Sequence, residues 1–471
     1  MNKVLISTLS ALFLVLPYAS TSRFLNVYPR GKEYYVPDGE DVGTPLFLTP
    51  LIESGKIEEA REKAVVQHKE MGDISSYSGY LTVNKAYNSN LFFWFFPAMH
   101  NPKTAPMILW LQGGPGATSM FGLFTENGPF IVTENKTLTM RKYSWNIAHN
   151  VIYIDNPVGT GFSFTGDDKG YVRNETEVGK DILNALVQFF QLFPELQDND
   201  FFVTGESYAG KYVPAVSHAV KDHNVKAEVK INLRGLAIGN GLCDPENQLL
   251  YSDYLYQLGL IDRNGKAQFQ IYENKGRNFI QQKKYVEAFE VFDALLNGDI
   301  NVTPSLFHNL TGFDFYYNYL MTDENNASNW MYEWIQRADV RRSIHVGNNS
   351  FDVETKIVEE HLKGDVMQSV ANLLTDLLQH YRVLIYNGQL DIIVAYPLTE
   401  NFLYKLQWPG ADKYAKTPRK VWMVGGKLAG YTKSVDNLTE VLVRNAGHMV
   451  PMDQPKWALD LITRFTHNKK F

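Results

Sequence analysis

Phe201-Phe202-Val203-Thr204-Gly205-Glu206-Ser207-Tyr208-Ala209-Gly210 decides the fold of this chain. It opens with a mainly apolar, β-forming run, of strand length and suited to burial on both faces. Gly205 and Gly210 flank a turn, and Lys211 to Ala219 continue with helical patterning. A strand, a tight turn of small residues and a helix make a nucleophile elbow, which lifts the Ser207 hydroxyl above the end of a sheet. Position 209 is Ala, so the strict G-x-S-x-G pattern is missed by one methyl group. The helix N-terminus behind Ser207 favours negative charge developing beside it.

The elbow belongs to a series. Strand patterns recur at 80–83, 91–96, 107–111, 151–155, 201–204, 233–238, 383–386, 421–424 and 440–443, several of them continuous apolar runs. Helical patterns lie between them, notably Val178–Leu192, and Leu51 to Gln67 reads as a charged helix near the start. The alternation predicts an α/β fold, a mostly parallel central sheet flanked by helices. From 242 to 367 the series stops, and Tyr, Asn, Gln and charged residues predict a largely helical insertion, a cap. The expected organisation is a core over 22–241, the cap over 242–367, and the rest of the core over 368–471.

A serine nucleophile needs a general base and a carboxylate to orient it, in this fold in the chain order Ser, Asp or Glu, His. Val383-Leu384-Ile385-Tyr386-Asn387-Gly388-Gln389-Leu390-Asp391 sets Asp391 just beyond an apolar strand. Val441-Leu442-Val443-Arg444-Asn445-Ala446-Gly447-His448 sets His448 beyond another. Sites of α/β sheets form at such strand ends. Met107-Ile108-Leu109-Trp110-Leu111-Gln112-Gly113-Gly114-Pro115-Gly116 is a strand entering a glycine loop, whose amides suit an oxyanion hole with the Tyr208 amide as second donor. The loop lacks the Walker lysine and the G-x-G-x-x-G spacing, and Pro115 removes a donor, so phosphate binding is not expected.

Composition fixes the setting. The chain has 471 residues, with 45% hydrophobic and 20% charged, which excludes disorder and coiled coil. The net charge of −6 offers no basic excess for a nucleic-acid partner. Lys3 ahead of the apolar run Val4–Leu16, then Pro17, Ala19 and Ser20, predicts a signal peptide over 1–21. That run is too short for a membrane span, which needs about 20 residues. Asn135, Asn174, Asn301, Asn309, Asn326, Asn348 and Asn437 begin glycosylation sequons. Cys243 is the only cysteine, so the chain holds no internal disulfide. No H-E-x-x-H pattern occurs, and neither metal nor cofactor is expected.

Trp110–Gly116, Glu126-Asn127-Gly128-Pro129, Asp155–Ser163, Gly205–Gly210, Gly239-Asn240-Gly241, Tyr386–Asp391 and Gly447–Pro451 together resemble the blocks of serine carboxypeptidases, most nearly their insect vitellogenic and venom branch. The resemblance runs from about Pro45 to the C-terminus. It implies an α/β-hydrolase fold, a secreted or lysosomal-type location, and removal of single residues from the C-termini of peptides and proteins. It further implies Ser207 as nucleophile, His448 as general base and acid, Asp391 as its orienter, and the Gly114 and Tyr208 amides as the oxyanion hole. Gln112, Glu126 and Glu206 match the family's site for the substrate carboxylate, and Met449 a wall of the leaving-residue pocket.

Departures accompany the match. Gln112 stands where Asn is commoner, Ala117 where many relatives have a disulfide cysteine, and Cys243 where relatives often carry a hydroxyl. Two neighbouring carboxylates do not both ionise cheaply, so Glu126 and Glu206 are expected to share a proton at mildly acidic pH and donate to the substrate's anion. The alternatives are a catalytically silent storage or binding protein of the same fold and an acyltransferase with the same triad.

Overall fold

A computed structural model describes residues 39–298, 304–322, 327–352 and 356–471. The signal peptide and the sequons at Asn301 and Asn326 lie outside the described residues.

Among the described residues twelve strands form in chain order: β1 (Tyr77–Asn84), β2 (Ser89–Phe96), β3 (Met107–Leu111), β4 (Phe130–Val132), β5 (Leu138–Met140), β6 (Asn150–Ile154), β7 (Phe201–Glu206), β8 (Leu233–Gly239), β9 (Arg382–Gly388), β10 (Lys420–Val424), β11 (Lys427–Val435) and β12 (Leu438–Val443). Ten of them make one sheet in the order β1-β2-β6-β3-β7-β8-β9-β12-β11-β10. The six inner strands from β6 to β12 run parallel, and antiparallel pairs close both edges. β4 and β5 form a separate hairpin.

The apolar runs of β2, β3, β6 and β7 are buried along their whole length. Side-chain alternation along β7 shows why. Phe201 meets Phe190 of the Glu175–Leu192 helix edge-on at 5.7 Å, while Phe202, on the opposite face, meets Phe465 of the Pro455–Thr466 helix at 5.6 Å. Both faces are therefore covered by helices, as the unbroken hydrophobicity requires.

Between β8 and β9 the chain forms helices and no strand among the described residues, including Tyr251–Gln257, Arg263–Gln281, Tyr285–Phe292 and Lys356–Leu362. Two local expectations need correction. Leu51 to Gln67 is not one helix but two, Thr49–Glu53 and Ile57–Ala64, parted at Gly55, whose φ of +73° ends the first. β11 was hidden in the sequence because Gly430 and alternating polar residues interrupt its pattern; it pairs on both sides, with β10 and β12.

Candidate active site

Five parallel strands end in candidate residues: β3 in Gln112, β7 in Ser207, β8 in Asn240, β9 in the loop bearing Asp391, and β12 in the loop bearing His448. Strand order makes these ends neighbours.

Ser207 follows β7 directly and holds φ at +63°, a left-handed conformation that a serine adopts only when its surroundings impose it. Its amide donates to Gly239 O at 3.0 Å and its carbonyl accepts from Leu242 N at 3.0 Å, so β8 and the following turn clamp the elbow from one side. The glycine loop clamps it from the other. A Cβ on Gly113 would lie 2.5 Å from the Tyr208 nitrogen and 2.8 Å from the Ser207 Cβ, so only glycine lets the loop lie this close. Ala117 is buried, and its amide donates to Gly113 O at 3.1 Å. Asp155 anchors the same loop, accepting from Thr118 Oγ1 at 2.6 Å and Ser119 N at 2.9 Å.

His448 and Asp391 are both fully buried, with His448 Nδ1 2.8 Å from Asp391 Oδ2. Asn240 Nδ2 donates to the same oxygen at 2.7 Å, and the Ile393 and Val394 amides donate to the carboxylate at 3.0 and 3.3 Å. The carboxylate thereby fixes the imidazole with Nδ1 as donor, leaving Nε2 as the acceptor. Nε2 is buried and has no hydrogen-bond partner among the described residues, Ser207 included. Catalytic hydrogen bonds are often long before substrate arrives. Tyr317, from the helical stretch between β8 and β9, lies over the imidazole, ring centres 5.1 Å apart, and its carbonyl accepts from His448 N at 2.7 Å.

The two glutamates meet through Gln112. Gln112 Nε2 donates to Glu126 Oε1 at 2.9 Å and to Glu206 Oε1 at 3.3 Å, while Gln112 Oε1 accepts from Trp110 Nε1 at 2.8 Å. That last bond fixes which end of the amide faces the carboxyls. All three residues are buried. Burial pushes the Glu126 carboxyl well above the usual carboxylate range; its hydrogen bonds to Glu206 and Gln112 offset part of the rise.

Glu126 lies in a π-helical turn, Gly122–Asn127, a winding often found at functional sites. At Gly122 a Cβ would fall 2.2 Å from Trp110 Nε1 and 2.7 Å from Gln112 Oε1. The sequence reading missed Arg141, which pins this turn: its guanidinium donates to the carbonyls of Phe124, Gly128 and Phe130 at 2.6, 3.0 and 3.2 Å. Asn240 was read only as part of a motif, without its contact to Asp391. Asn240 offered a signal, an asparagine between two glycines, but one that does not name its partner; Arg141, beside Lys142 in a polar stretch, offered none.

A cavity of about 390 Å³ is lined by His448, Met449 and Arg141, by Phe121 and Phe124 at the π-turn, and by Met321 and Trp330 from the stretch between β8 and β9. Cys243 lies behind the elbow, buried, its Sγ donating to Gly210 O at 3.3 Å. Asn135, Asn309 and Asn348 are exposed, Asn309 donating through Nδ2 to Pro304 O at 3.1 Å, and Asn174 and Asn437 are half-buried, Asn174 as a helix cap and Asn437 donating through Nδ2 to Leu378 O.

The serine carboxypeptidase family model matches residues 67–468. The chain is 72% identical over 449 residues to the venom serine carboxypeptidase of Apis mellifera, covering 95% of this chain and 96% of that one. It is 50% identical over 429 residues to the vitellogenic carboxypeptidase of Aedes aegypti, covering 90% of each. It is 48% identical over 473 residues to the probable serine carboxypeptidase CPVL of Homo sapiens, covering 100% of this chain and 98% of that one. The crystal structure of Kex1(Δ)p, a prohormone-processing carboxypeptidase from Saccharomyces cerevisiae, matches the fold with a TM-score of 0.72 at 23% identity, covering 87% of this chain and 96% of that one. On the family match and these identities the chain belongs to the serine carboxypeptidases, and its architecture is the α/β-hydrolase fold.

Proposed function

We propose that the chain removes single residues from the C-termini of peptides and proteins through a Ser207 acyl-enzyme, working best at mildly acidic pH. Ser207 Oγ attacks the last peptide carbonyl while His448 Nε2 takes its proton. Asp391, held by Asn240 and two amides, keeps the imidazole oriented and faces the positive charge that the ring acquires. The Gly114 and Tyr208 amides receive the developing oxyanion. His448 then protonates the departing amino acid, and a water molecule activated by the same ring releases the acyl group. The cavity beside Met449 accommodates the departing residue.

The observation that carries the exopeptidase reading is the Gln112 amide held between Glu126 and Glu206. A site built to receive a carboxylate needs donors, and a proton retained by the buried pair supplies one where two ionised glutamates would repel the substrate. Timed mass spectrometry of a free-acid peptide tests this: the expected products are shorter by one C-terminal residue at each step. Internal cleavage, or loss from the N-terminus, overturns it.

The expected signal peptide and the sequons support a secreted or lysosomal glycoprotein. The organisation into a core over 22–241 and 368–471 with a cap over 242–367 belongs to the same reading. N-terminal sequencing of the exported chain should begin near Ser22. An export-competent host that keeps the chain inside the cell with Met1 intact overturns the assignment.

A further inference from the structure

Behind the elbow lies a second buried cluster of ionisable groups that the catalytic steps do not use. Lys211, in the first turn of the Ala209–His223 helix, is fully buried. A cation there sits at the positive end of the helix dipole, the less favourable end, so its burial needs strong compensation. Asp365 supplies it. Lys211 Nζ lies 2.5 Å from Asp365 Oδ2 and also donates to the Asp365 carbonyl and, at 3.4 Å, to Val366 O. All three ammonium protons therefore have acceptors.

Asp365 stands in the turn after the Lys356–Leu362 helix, near the end of the stretch between β8 and β9, its amide donating to Leu362 O at 2.7 Å. The same carboxylate oxygen accepts from the Tyr208 hydroxyl at 3.2 Å, and Lys211 Nζ lies 5.5 Å from the centre of the Tyr208 ring. Tyr212 packs edge-on against that ring at 5.1 Å. Glu175, the first residue of the Glu175–Leu192 helix, completes the cluster; burial pushes its carboxyl up, with Lys211 lowering it and Asp365 raising it further. Three elements thus converge on the side chain of the residue whose amide follows the nucleophile.

We propose that the Lys211–Asp365 pair is a positioning device for the oxyanion hole, fixing Tyr208 through its side chain so that its amide holds its aim while the Leu362–Val366 turn is docked. This rests on the reading of the Tyr208 amide as an oxyanion donor. The pair touches no substrate and acts through Tyr208. An error of about 1 Å in such a donor costs about a hundredfold in rate.

The test uses Lys211→Met and the double variant Lys211→Met/Asp365→Leu. Removing one partner strands the other as a buried charge, whereas the double variant keeps the cluster neutral. Activity is expressed per Ser207 titrated with a fluorophosphonate, and affinity is measured for a peptide boronate, whose tetrahedral adduct occupies the oxyanion hole. The expected result is a fall of about 10- to 100-fold in kcat with little change in KM, and a loss of boronate affinity in step with kcat. A merely structural role would lower the titratable fraction or the melting temperature and leave kcat per titrated site and boronate affinity at wild-type values. That outcome overturns the proposal. Ser207→Ala, assayed in parallel, separates the two levels. If it keeps turnover, the reading of the elbow falls and the proposal with it; if it is inactive while the double variant is wild-type per site, only the proposal falls.

Discussion

Asn240 donates its side-chain amide to Asp391 Oδ2 at 2.7 Å, onto the oxygen that faces His448 Nδ1. Its own Oδ1 accepts from the Gly388 amide at 3.1 Å, so one side chain fastens the end of β8 to the end of β9. Asn240→Ala removes a donor from a buried carboxylate and strands a buried amide, a loss of about 1–3 kcal/mol in stability. With its orienter less constrained, the imidazole spends less time aimed at Ser207, and kcat should fall by about tenfold or more while KM holds. Chemical denaturation and steady-state kinetics on one preparation read both effects; wild-type kcat in a destabilised variant would show that Asn240 only braces the strands.

Ser207, the proposed nucleophile, carries backbone strain. A non-glycine residue held at φ +63° costs on the order of 1 kcal/mol relative to glycine. Ser207→Gly should therefore be inactive and more stable than the parent by about that amount, since the hydroxyl leaves and the conformation becomes easy. Ser207→Ala keeps the strain; it should match the parent in stability and lose about 10⁴- to 10⁶-fold in kcat. Calorimetry of the two variants side by side separates strain from side-chain loss.

Cys243 is buried, and burial pushes its thiol far above the ordinary range, so little thiolate forms under any assay condition. The native protein should not react with a chromogenic disulfide reagent, while the denatured protein should release one equivalent. Cys243→Ser should change stability by no more than about 2 kcal/mol. Rapid labelling of the folded chain would contradict the burial.

Sequence periodicity revealed the parallel core because helices on both faces demand unbroken apolar strands, as Phe201 and Phe202 illustrate. The positions of Ser207, Asp391 and His448 were legible for a related reason: each follows a recognisable strand, and strand ends are where chain geometry is most constrained. Arg141 and Asn240 were not legible in role, since their partners lie 17 and 151 residues away in sequence and no local pattern encodes such a contact. β11 escaped because an edge region with one wet face need not be continuously apolar. The Lys211–Asp365 pair escaped for the opposite reason, as a lysine in an amphipathic helix ordinarily faces water.

Stability should depend on pH through Glu175. Burial and the nearby Asp365 carboxylate raise its carboxyl, with Lys211 acting in the opposite sense. A carboxyl whose folded-state pKa lies above its unfolded value contributes fully below the unfolded value, and the contribution is lost as pH rises through the folded one. The melting temperature should fall between mildly acidic and mildly alkaline pH, and Glu175→Gln, neutral throughout, should lessen that fall. His149, whose pKa burial lowers to about 4, works the other way, favouring the folded state as pH rises from 4 toward 6.5. Differential scanning calorimetry across the range checks the sign; parallel slopes in parent and variant would remove Glu175 from the account.

Activity should carry a separate pH signature, set by the buried pair that Gln112 bridges. Burial raises the Glu126 carboxyl above the usual range, and its titration is shared with Glu206, so the apparent pKa belongs to the pair. While the pair holds a proton, it donates to a substrate carboxylate; as that proton leaves with rising pH, two negative charges face a third. Free-acid peptides should therefore have a mildly acidic optimum in kcat/KM, with the alkaline fall mainly in KM. A peptide amidated at its C-terminus lacks the repelled charge, and its optimum should lie higher by about one pH unit or more. Glu206→Gln leaves one carboxyl beside Gln112, which should flatten the alkaline limb for free acids and weaken their binding at low pH. The decisive measurement is a pair of pH profiles on one peptide, free acid against amide, each resolved into kcat and KM. Superimposable profiles would mean that the glutamates do not read the carboxylate, and the exopeptidase mechanism would fall with them.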